Sequence, residues 1–482
     1  MVMRKFILNF IVLFCIGAVG FAQDITGSWQ GNLNAGGTNL PLVFHIKQQN
    51  QNWVSLFDSP AQNAFGLATG KTIFNQDSLI ITIPLINGSY TGKWNGADLI
   101  EGLFQQGDFK APMVLKKATA PIPPPKPAPT ITRPQTPKPP FDYLIEDLQF
   151  NNPDKTVQYG ATLTIPKNKK TFPTVILISG SGSQDRDGTM FNHKIYWVLA
   201  DHLTKSGIGV LRIDDRGTGK TSLGTNPELL TSKDFANDVH AAIKFLLSRK
   251  DIDPKQIGLI GHSEGGMIAP MVAANNQNVA FICLLAGPGI TGSEIWNFQM
   301  RNSFIQPNLS KADYAIAAEL VNEMNNQFKK SAVADSIKAA MTLVYQQWKQ
   351  RYPSAIEANL FVSTGLTPYL GLVNQFKQGL SWLQFFVNYN PAINLSKVNI
   401  PVLALNGADD IQVTAADNIN GIQKALKRNK NPLTKTQILP GLNHLFQSCK
   451  SPQQAYGDID ESFSPTALSI ISEWIHQISQ KQ

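Results

Sequence analysis

The run Ile257-Gly258-Leu259-Ile260-Gly261-His262-Ser263-Glu264-Gly265-Gly266 holds residues whose types and spacing could do chemistry. Gly261-His262-Ser263-Glu264-Gly265 fits G-x-S-x-G, which sets a serine on a strained strand-to-helix turn with its hydroxyl exposed. Glycine is needed on both sides because the turn is too sharp for side chains there. A helix starting beside Ser263 aims free N–H groups and its positive dipole end at the same place.

A serine hydroxyl is a weak nucleophile until a base takes its proton, and the base needs an orienting acid. On sheets that carry this turn the chain order is Ser, then Asp or Glu, then His. Two histidines follow Ser263. His476 sits in a terminal helical pattern, at a packing or surface position. His444 sits in Pro440-Gly441-Leu442-Asn443-His444-Leu445-Phe446, a loop directly after a strand, and is the expected base. The acid should leave the loop after strand Pro401–Leu405, where Asp409 and Asp410 both qualify by position. Two backbone N–H groups must meet the developing oxyanion. One is expected from Glu264. The other is expected from Ser181, with Gly182 second, in the loop Ser179-Gly180-Ser181-Gly182-Ser183-Gln184-Asp185.

These residues need a scaffold, and the surrounding pattern supplies one. From Tyr143 onward, two strands in a predicted antiparallel pair precede strands that alternate with helices. Strands are expected at 173–178, 209–213, 257–260, 279–286, 401–405 and 434–439. Helices are expected at 191–206, 233–249, from 265, at 415–426 and at 465–480. That alternation requires a doubly wound, mostly parallel α/β sheet with ligands at the carboxyl ends of its strands. Between two of the strands, residues 290–387 read as a helical lid insertion, with helices at 311–330 and 333–351. Its aromatics, among them Trp296, Phe298, Trp348, Trp382 and Phe386, mostly form its own core, with a few expected to line a pocket.

Upstream, residues 23–117 alternate apolar and polar at hairpin spacing, which predicts a small all-β barrel-like or sandwich domain. It offers no catalytic set, and its His45 reads as structural. Ten prolines between 118 and 142 predict a semi-rigid linker. The catalytic domain is then 143–482. Residues 1–22 read as a cleavable signal peptide, with Arg4-Lys5, an apolar run and Gly20-Phe21-Ala22 before a cut after Ala22. Cys15 follows Leu13-Phe14, which does not suit lipidation. A secreted or periplasmic location follows, with no membrane span after signal removal.

The formal charge of +8 comes from scattered residues, and +6 remains without Arg4 and Lys5. No basic cluster suggests nucleic acid. Gly219-Lys220-Thr221 resembles the end of a phosphate loop, but Asp214 stands where that loop needs glycine. No His/Cys/Asp/Glu cluster has metal-ligand spacing, so no metal or cofactor is expected. Cys283, in an apolar strand, reads as a core residue, and pairing with Cys449 is not favoured.

Several segments together resemble the α/β-hydrolase superfamily. They are Gly180-Ser181-Gly182-Ser183-Gln184-Asp185-Arg186-Asp187, Asn192-His193-Lys194, Asp214-Asp215-Arg216-Gly217-Thr218-Gly219, Gly261–Gly266, Asn406–Val413 and Leu442–Phe446. The nearest branch is that of exported bacterial esterases grouped with serine aminopeptidase-like and prolyl oligopeptidase-like hydrolases. The resemblance covers Tyr143 to the C-terminus, weakly in the lid. It implies that Asp410, in Gly-x-x-Asp-x-Gln-Val, is the acid. Asp185, Arg186, His193, Asp215 and Arg216 fall on loops at strand ends, where they are expected to brace the site with Gly182.

The expected activity is hydrolysis of a small carboxylic ester with an apolar part. A peptidase would need an acidic site for a peptide amine, for which Glu319 and Glu323 of the lid are candidates. A third reading is a non-catalytic binding protein.

Overall fold

The computed structural model describes residues 24–35, 38–50, 52–60, 64–86, 88–106, 109–118, 132–167 and 171–480. The expected signal peptide and its cut after Ala22 lie outside them, as do residues 119–131 of the proline-rich segment. The chain forms two compact units that meet at residues 130 and 131.

The first unit is one antiparallel sheet. Its strands are β1 (Gly27–Ala35), β2 (Thr38–Gln49), β3 (Asn52–Ser59), β4 (Ala64–Ala68), β5 (Thr72–Asn75), β6 (Ser78–Ile83), β7 (Gly88–Trp94), β8 (Leu99–Gln106) and β9 (Phe109–Lys117). They lie in the order β4-β3-β2-β1-β9-β8-β7-β6-β5. The period-2 pattern puts Trp29, Phe44, Phe57, Tyr90 and Phe104 on one face. The sheet curls around them and brings β3 to β5, where Ser55 Oγ lies 2.7 Å from Thr72 Oγ1. It is a curled sheet with a filled interior, not a two-sheet sandwich.

Outside that interior is a cluster the sequence pattern did not disclose. His45 Nδ1 is 2.8 Å from Ser28 Oγ, and its Nε2 is 2.7 Å from Asp58 Oδ2. Asp58 Oδ1 also accepts the Gly66 N–H at 2.6 Å. The residue types are those of a catalytic relay, but Ser28 lies within a paired strand, not on a strained turn. The cluster ties β1, β2, β3 and β4 together, which keeps His45 structural.

The second unit contains β10 (Tyr143–Asn151), β11 (Gln158–Pro166), β12 (Thr174–Ile178), the short pair β13 (Thr189–Met190) and β14 (His193–Lys194), then β15 (Gly209–Ile213), β16 (Ile257–His262), β17 (Phe281–Leu285), β18 (Val402–Gly407) and β19 (Lys435–Leu439). Its main sheet runs β10-β11-β15-β12-β16-β17-β18-β19, parallel from β15 to β19. β12, β16 and β17 are buried throughout, as apolar strands covered on both faces must be. Helices α1 (Ile195–Lys205), α2 (Ser232–Leu247) and α3 (Glu264–Ala273) follow β14, β15 and β16.

The insertion between β17 and β18 carries α4 (Gly292–Phe304), α5 (Lys311–Lys330), α6 (Ala334–Arg351), α7 (Ser354–Leu360), α8 (Thr367–Gln375), α9 (Leu380–Asn388) and α10 (Ala392–Leu395). Helices α11 (Ala415–Ala425) and α12 (Pro465–Ser479) complete the unit. One face of the sheet packs on α1 and α12, the other on α2, α3 and α11. The inserted helices have their own core around Trp296, Phe328, Trp348 and Leu383, which also takes in Met267 of α3. The lid is therefore packed on the helix that follows Ser263.

Two boundaries differ from expectation. The helix expected at 191–206 begins at Ile195, because β13 and β14 form a hairpin whose turn residues Phe191 and Asn192 have φ of 51° and 63°. That left-handed turn carries no glycine to announce it. The proline-rich segment does not act as a free linker to its end. Arg133 donates to the carbonyls of Phe191, Gly457 and Ile459 at 2.7–2.9 Å. Gln135 accepts the N–H groups of Ser462 and Phe463 at 2.6 and 3.0 Å. Residues 132–142 thus belong structurally to the second unit. Cys283 and Cys449 are both free.

Candidate functional site

The turn after β16 is as sharp as G-x-S-x-G demands. Ser263 has φ 54° and ψ −118°, a conformation that is strained for a residue with a side chain. Its N–H donates to Leu285 O at 2.8 Å and its carbonyl accepts the Gly266 N–H at 2.9 Å. A Cβ at position 261 would lie 2.0 Å from the Gly265 carbonyl oxygen, and one at 265 would lie 2.2 Å from that of Ile178. Both glycines are therefore fixed by close backbone approach. Ser263 is half-buried, and its hydroxyl makes no hydrogen bond among the described residues.

His444 and Asp410 arrive from the loops after β19 and β18. Their side chains meet with Nδ1 2.7 Å from Oδ2, and both are buried. Asp410 Oδ1 accepts the N–H groups of Gln412 and Val413 at 2.8 and 2.9 Å, so both carboxyl oxygens are committed. Asp409 points elsewhere: it is half-buried, with Cys449 Sγ 3.9 Å from its Oδ2. The His444 loop is shaped by Asn443, whose Oδ1 accepts the N–H groups of Leu445 and Gln447, each at 3.0 Å. Gln447 Nε2 in turn lies 2.9 Å from His193 Nε2 and donates to Glu461 O at 2.9 Å.

A link that sequence reasoning missed joins the Ser263 turn to the His444 loop. His262 is buried, and its Nε2 lies 2.9 Å from the His444 carbonyl, to which it donates. The two imidazole rings are 4.9 Å apart. Burial, with the nearby His444, pushes His262 down to about 3, so it stays neutral. Its other nitrogen faces the Tyr196 hydroxyl at 3.5 Å, and that hydroxyl accepts the Gly180 N–H at 3.2 Å. The only signal available for His262 was its place beside Ser263. Tyr196 had none.

The loop after β12 closes the site from the other side. A Cβ on Gly180 would come 3.1 Å from the Ser263 Cβ. Ser181 and Gly182 are exposed, and Gly182 has φ +90°. Asp215 holds the loop at both ends, accepting from Ser179 Oγ at 2.5 Å and the Gln184 N–H at 2.9 Å. Burial raises the Asp215 carboxyl to about 7 against those bonds, with Glu264 adding to the rise.

The other expected bracing residues also turn inward. Arg186 forks onto Asp214, with Nη2 2.6 Å from Oδ2 and Nε 3.0 Å from Oδ1. Arg216 forks onto Asp238 at 2.6 and 2.8 Å. Asp185 caps its own turn through the N–H groups of Asp187 and Thr189 at 3.1 and 2.9 Å. His193 Nδ1 is 2.8 Å from Ser462 Oγ, which places it behind the His444 loop and not in the site. Sequence reasoning did not single out Arg212, which pairs with Asp187 below these loops.

Glu264 was singled out only for its N–H. Its side chain is buried, and Oε1 accepts from Ser232 Oγ at 2.6 Å and from Trp382 Nε1 of α9 at 2.8 Å. Three of the lid carboxylates are bound within the lid. Glu319 pairs with Arg351 and accepts from the Tyr352 hydroxyl at 2.9 Å. Glu323 lies 3.4 Å from Arg351. Glu357 takes Lys349 at 2.9 Å, with Tyr345 and the Gly365 N–H at 2.8 and 2.7 Å. Among the described residues no cluster of His, Cys, Asp and Glu could hold a metal, and no helix is long and apolar enough to cross a membrane.

Comparison with known proteins agrees with this architecture. Residues 188–448 match the family model for serine aminopeptidase, S33. The chain is 32% identical over 311 residues to esterase EstD of Thermotoga maritima, an alignment covering 64% of this chain and 62% of that protein. Among solved structures, the α/β hydrolase GrgF from Penicillium sp. sh18 is similar at 17% identity and TM-score 0.41, over 69% of this chain and 98% of the other. The Pyrococcus furiosus esterase Pf2001 is similar at 14% identity and TM-score 0.40, over 70% and 91%. With its elbow, its strand order and more than half its length inside that family model, this chain belongs to the serine aminopeptidase (S33) family of α/β hydrolases.

Proposed function

We propose that this protein is an exported serine hydrolase of carboxylic esters. Ser263 attacks the acyl carbonyl while His444 takes its proton, and Asp410 holds His444 in the tautomer that can accept it. The N–H groups of Ser181 and Glu264 receive the oxyanion. His444 then protonates the departing alcohol, and water cleaves the acyl-enzyme. The observation that carries the reading is the buried 2.7 Å contact between His444 and Asp410, tied through His262 to a serine at φ 54°. A Ser263 hydroxyl without a partner is compatible with it, because such bonds are often long in resting sites and tighten with substrate.

An ester fits the lid better than a peptide does. A peptide amine needs a free carboxylate, yet Glu319 and Glu323 are taken by Arg351. A cleft of about 320 Å³ beside α4 offers Glu294 and Asp417, but Thr291 and Thr414 engage both as helix caps. The lid instead brings an aromatic stack to the elbow: Phe376, Trp382 and Phe386 lie 6.2 and 5.6 Å apart between ring centres, and Trp382 reaches Glu264 beside Ser263. Export rests on the N-terminal pattern alone.

The test is Ser263→Ala. Turnover of short-chain nitrophenyl esters and fluorophosphonate labelling should fall by on the order of 10⁶ and to zero, respectively. Retained labelling would move the nucleophile elsewhere, with Ser28 beside His45 the first place to look. Faster release of aminoacyl amides than of esters by the wild type would favour the peptidase.

A further inference from the structure

We infer that the Glu264 side chain is a positioning residue that locks the lid to both oxyanion donors. This rests on the serine-hydrolase reading of the site. Three elements converge on its buried carboxyl. Trp382 of α9 donates at 2.8 Å, Ser232 of α2 donates at 2.6 Å, and the Ser181 side chain meets the same carboxyl. Glu264 supplies one proposed oxyanion N–H and Ser181 the other. The same residue therefore holds one donor, touches the second and anchors the lid.

Trp382 and Ser232 both donate to Oε1. The Ser181 hydroxyl donates to the same carboxyl, so all three bonds favour the ionised form while burial opposes it. Among the described residues no cation pairs with the carboxyl. Its charge is felt by Asp215, a second buried acid that clamps the Ser181 loop. On α2, Asp238 is engaged by Arg216 and Asp234 closes its own helix cap, while Lys233 is exposed. Helix α9 carries no titratable side chain. Across the elbow stand neutral His262 and the His444–Asp410 pair. Two buried acids without a cation cannot both ionise cheaply. Burial pushes both carboxyls upward against the hydrogen bonds they accept.

Through these three contacts Glu264 holds the lid over the donors. Full ionisation at alkaline pH sets its charge against Asp215, which loosens the Ser181 loop and with it the second donor.

The test compares wild type, Glu264→Gln, Glu264→Ala and Trp382→Phe. The amide of Glu264→Gln keeps an acceptor and a donor in place and cannot ionise. It should lose at most about tenfold in kcat, while Glu264→Ala loses on the order of 10²-fold, as expected when an oxyanion donor is misplaced. The alkaline limb of the wild-type kcat profile should vanish in Glu264→Gln. Independently of turnover, the tryptophan emission of the wild type should change across that limb, and the change should be absent in Trp382→Phe and Glu264→Gln. An unchanged alkaline limb in Glu264→Gln, or a loss there equal to that of Glu264→Ala with both variants folded, overturns the inference. If Glu264→Ala does not fold, the limb and the emission change still decide. If the wild type is neither active nor labelled by a fluorophosphonate, the hydrolase reading fails, and the emission titration alone judges the lid contact.

Discussion

Replacing Asp410 by asparagine separates its proposed chemical role from its structural one. Asp410 Oδ1 accepts two backbone N–H groups, at 2.8 and 2.9 Å, and Oδ2 faces His444 at 2.7 Å. An asparagine keeps the first pair by pointing its carbonyl at Gln412 and Val413. Its NH₂ then faces His444 Nδ1, which must become an acceptor, and the imidazole proton moves to Nε2. The base can no longer take a proton from Ser263. The charge-assisted bond is lost as well, about 1.5–3 kcal/mol or roughly 10–150-fold. Wrong tautomer and lost charge together put the expected fall in kcat at about 10³–10⁴. Stability should drop by only about 1–2 kcal/mol, because the loop keeps its backbone bonds. The assay is kcat and KM on nitrophenyl butyrate with a urea melt of both proteins. Asp409→Asn serves as the comparison, and a change of at most about threefold is expected there, since Asp409 faces Cys449. A loss below tenfold in Asp410→Asn with an unchanged melt would refute the assignment.

His262→Phe removes the donor to the buried His444 carbonyl, and should cost about 1–3 kcal/mol in the urea melt and lower kcat about tenfold with KM little changed; an unaltered kcat would mean that the link between the two loops has no mechanical role. Gly265→Ala would put its methyl 2.2 Å from the Ile178 carbonyl, so the elbow must shift, and the fluorophosphonate labelling rate should fall more than 10²-fold even in the soluble fraction. Asp215 is raised to about 7 from 3.8, so the folded state binds more protons than the unfolded between those values, and this group makes stability fall as pH rises through that window. His262, lowered from 6.5 to about 3, works in the opposite direction. Asp215→Asn should therefore make the melt at about pH 8 better relative to that at about pH 4, and an unchanged difference would show Asp215 to be ionised throughout.

What could be read from the chain was what chemistry forces into short local patterns. The Ser263 turn needs particular residues within five positions, and they are adjacent in sequence. Helix α5 was legible at both ends, because a Ser310 cap and Lys329-Lys330 bracket one apolar stripe. Other contributors come from far away. Tyr196 reaches Gly180 and His262 across 16 and 66 positions, and Trp382 reaches Glu264 across 118. Nothing in the residues around a tyrosine or tryptophan reveals a partner at that separation. The lid carboxylates show the reverse error: Glu319 and Glu323 looked available because Arg351, their partner, lies on the next helix.

The proline-rich segment shows most clearly how packing overrides composition. Its prolines predict a spacer, and its composition gives no reason to connect it with His444. Yet Gln135 holds the N–H groups of Ser462 and Phe463, and Ser462 Oγ meets His193. His193 meets Gln447, and Gln447 packs with Asn443, the residue that shapes the turn carrying His444. Each contact satisfies a buried polar group that would otherwise cost about 1–3 kcal/mol, so the series persists as a unit. His193 therefore does support the site, but from behind the base loop and not beside the oxyanion loop where its motif suggested. His444 is held on one side by Asp410 and on the other by a polar chain that starts outside the α/β sheet. For that reason the second unit has to be counted from before Arg133 and Gln135, which make these contacts, and not from the first strand at Tyr143.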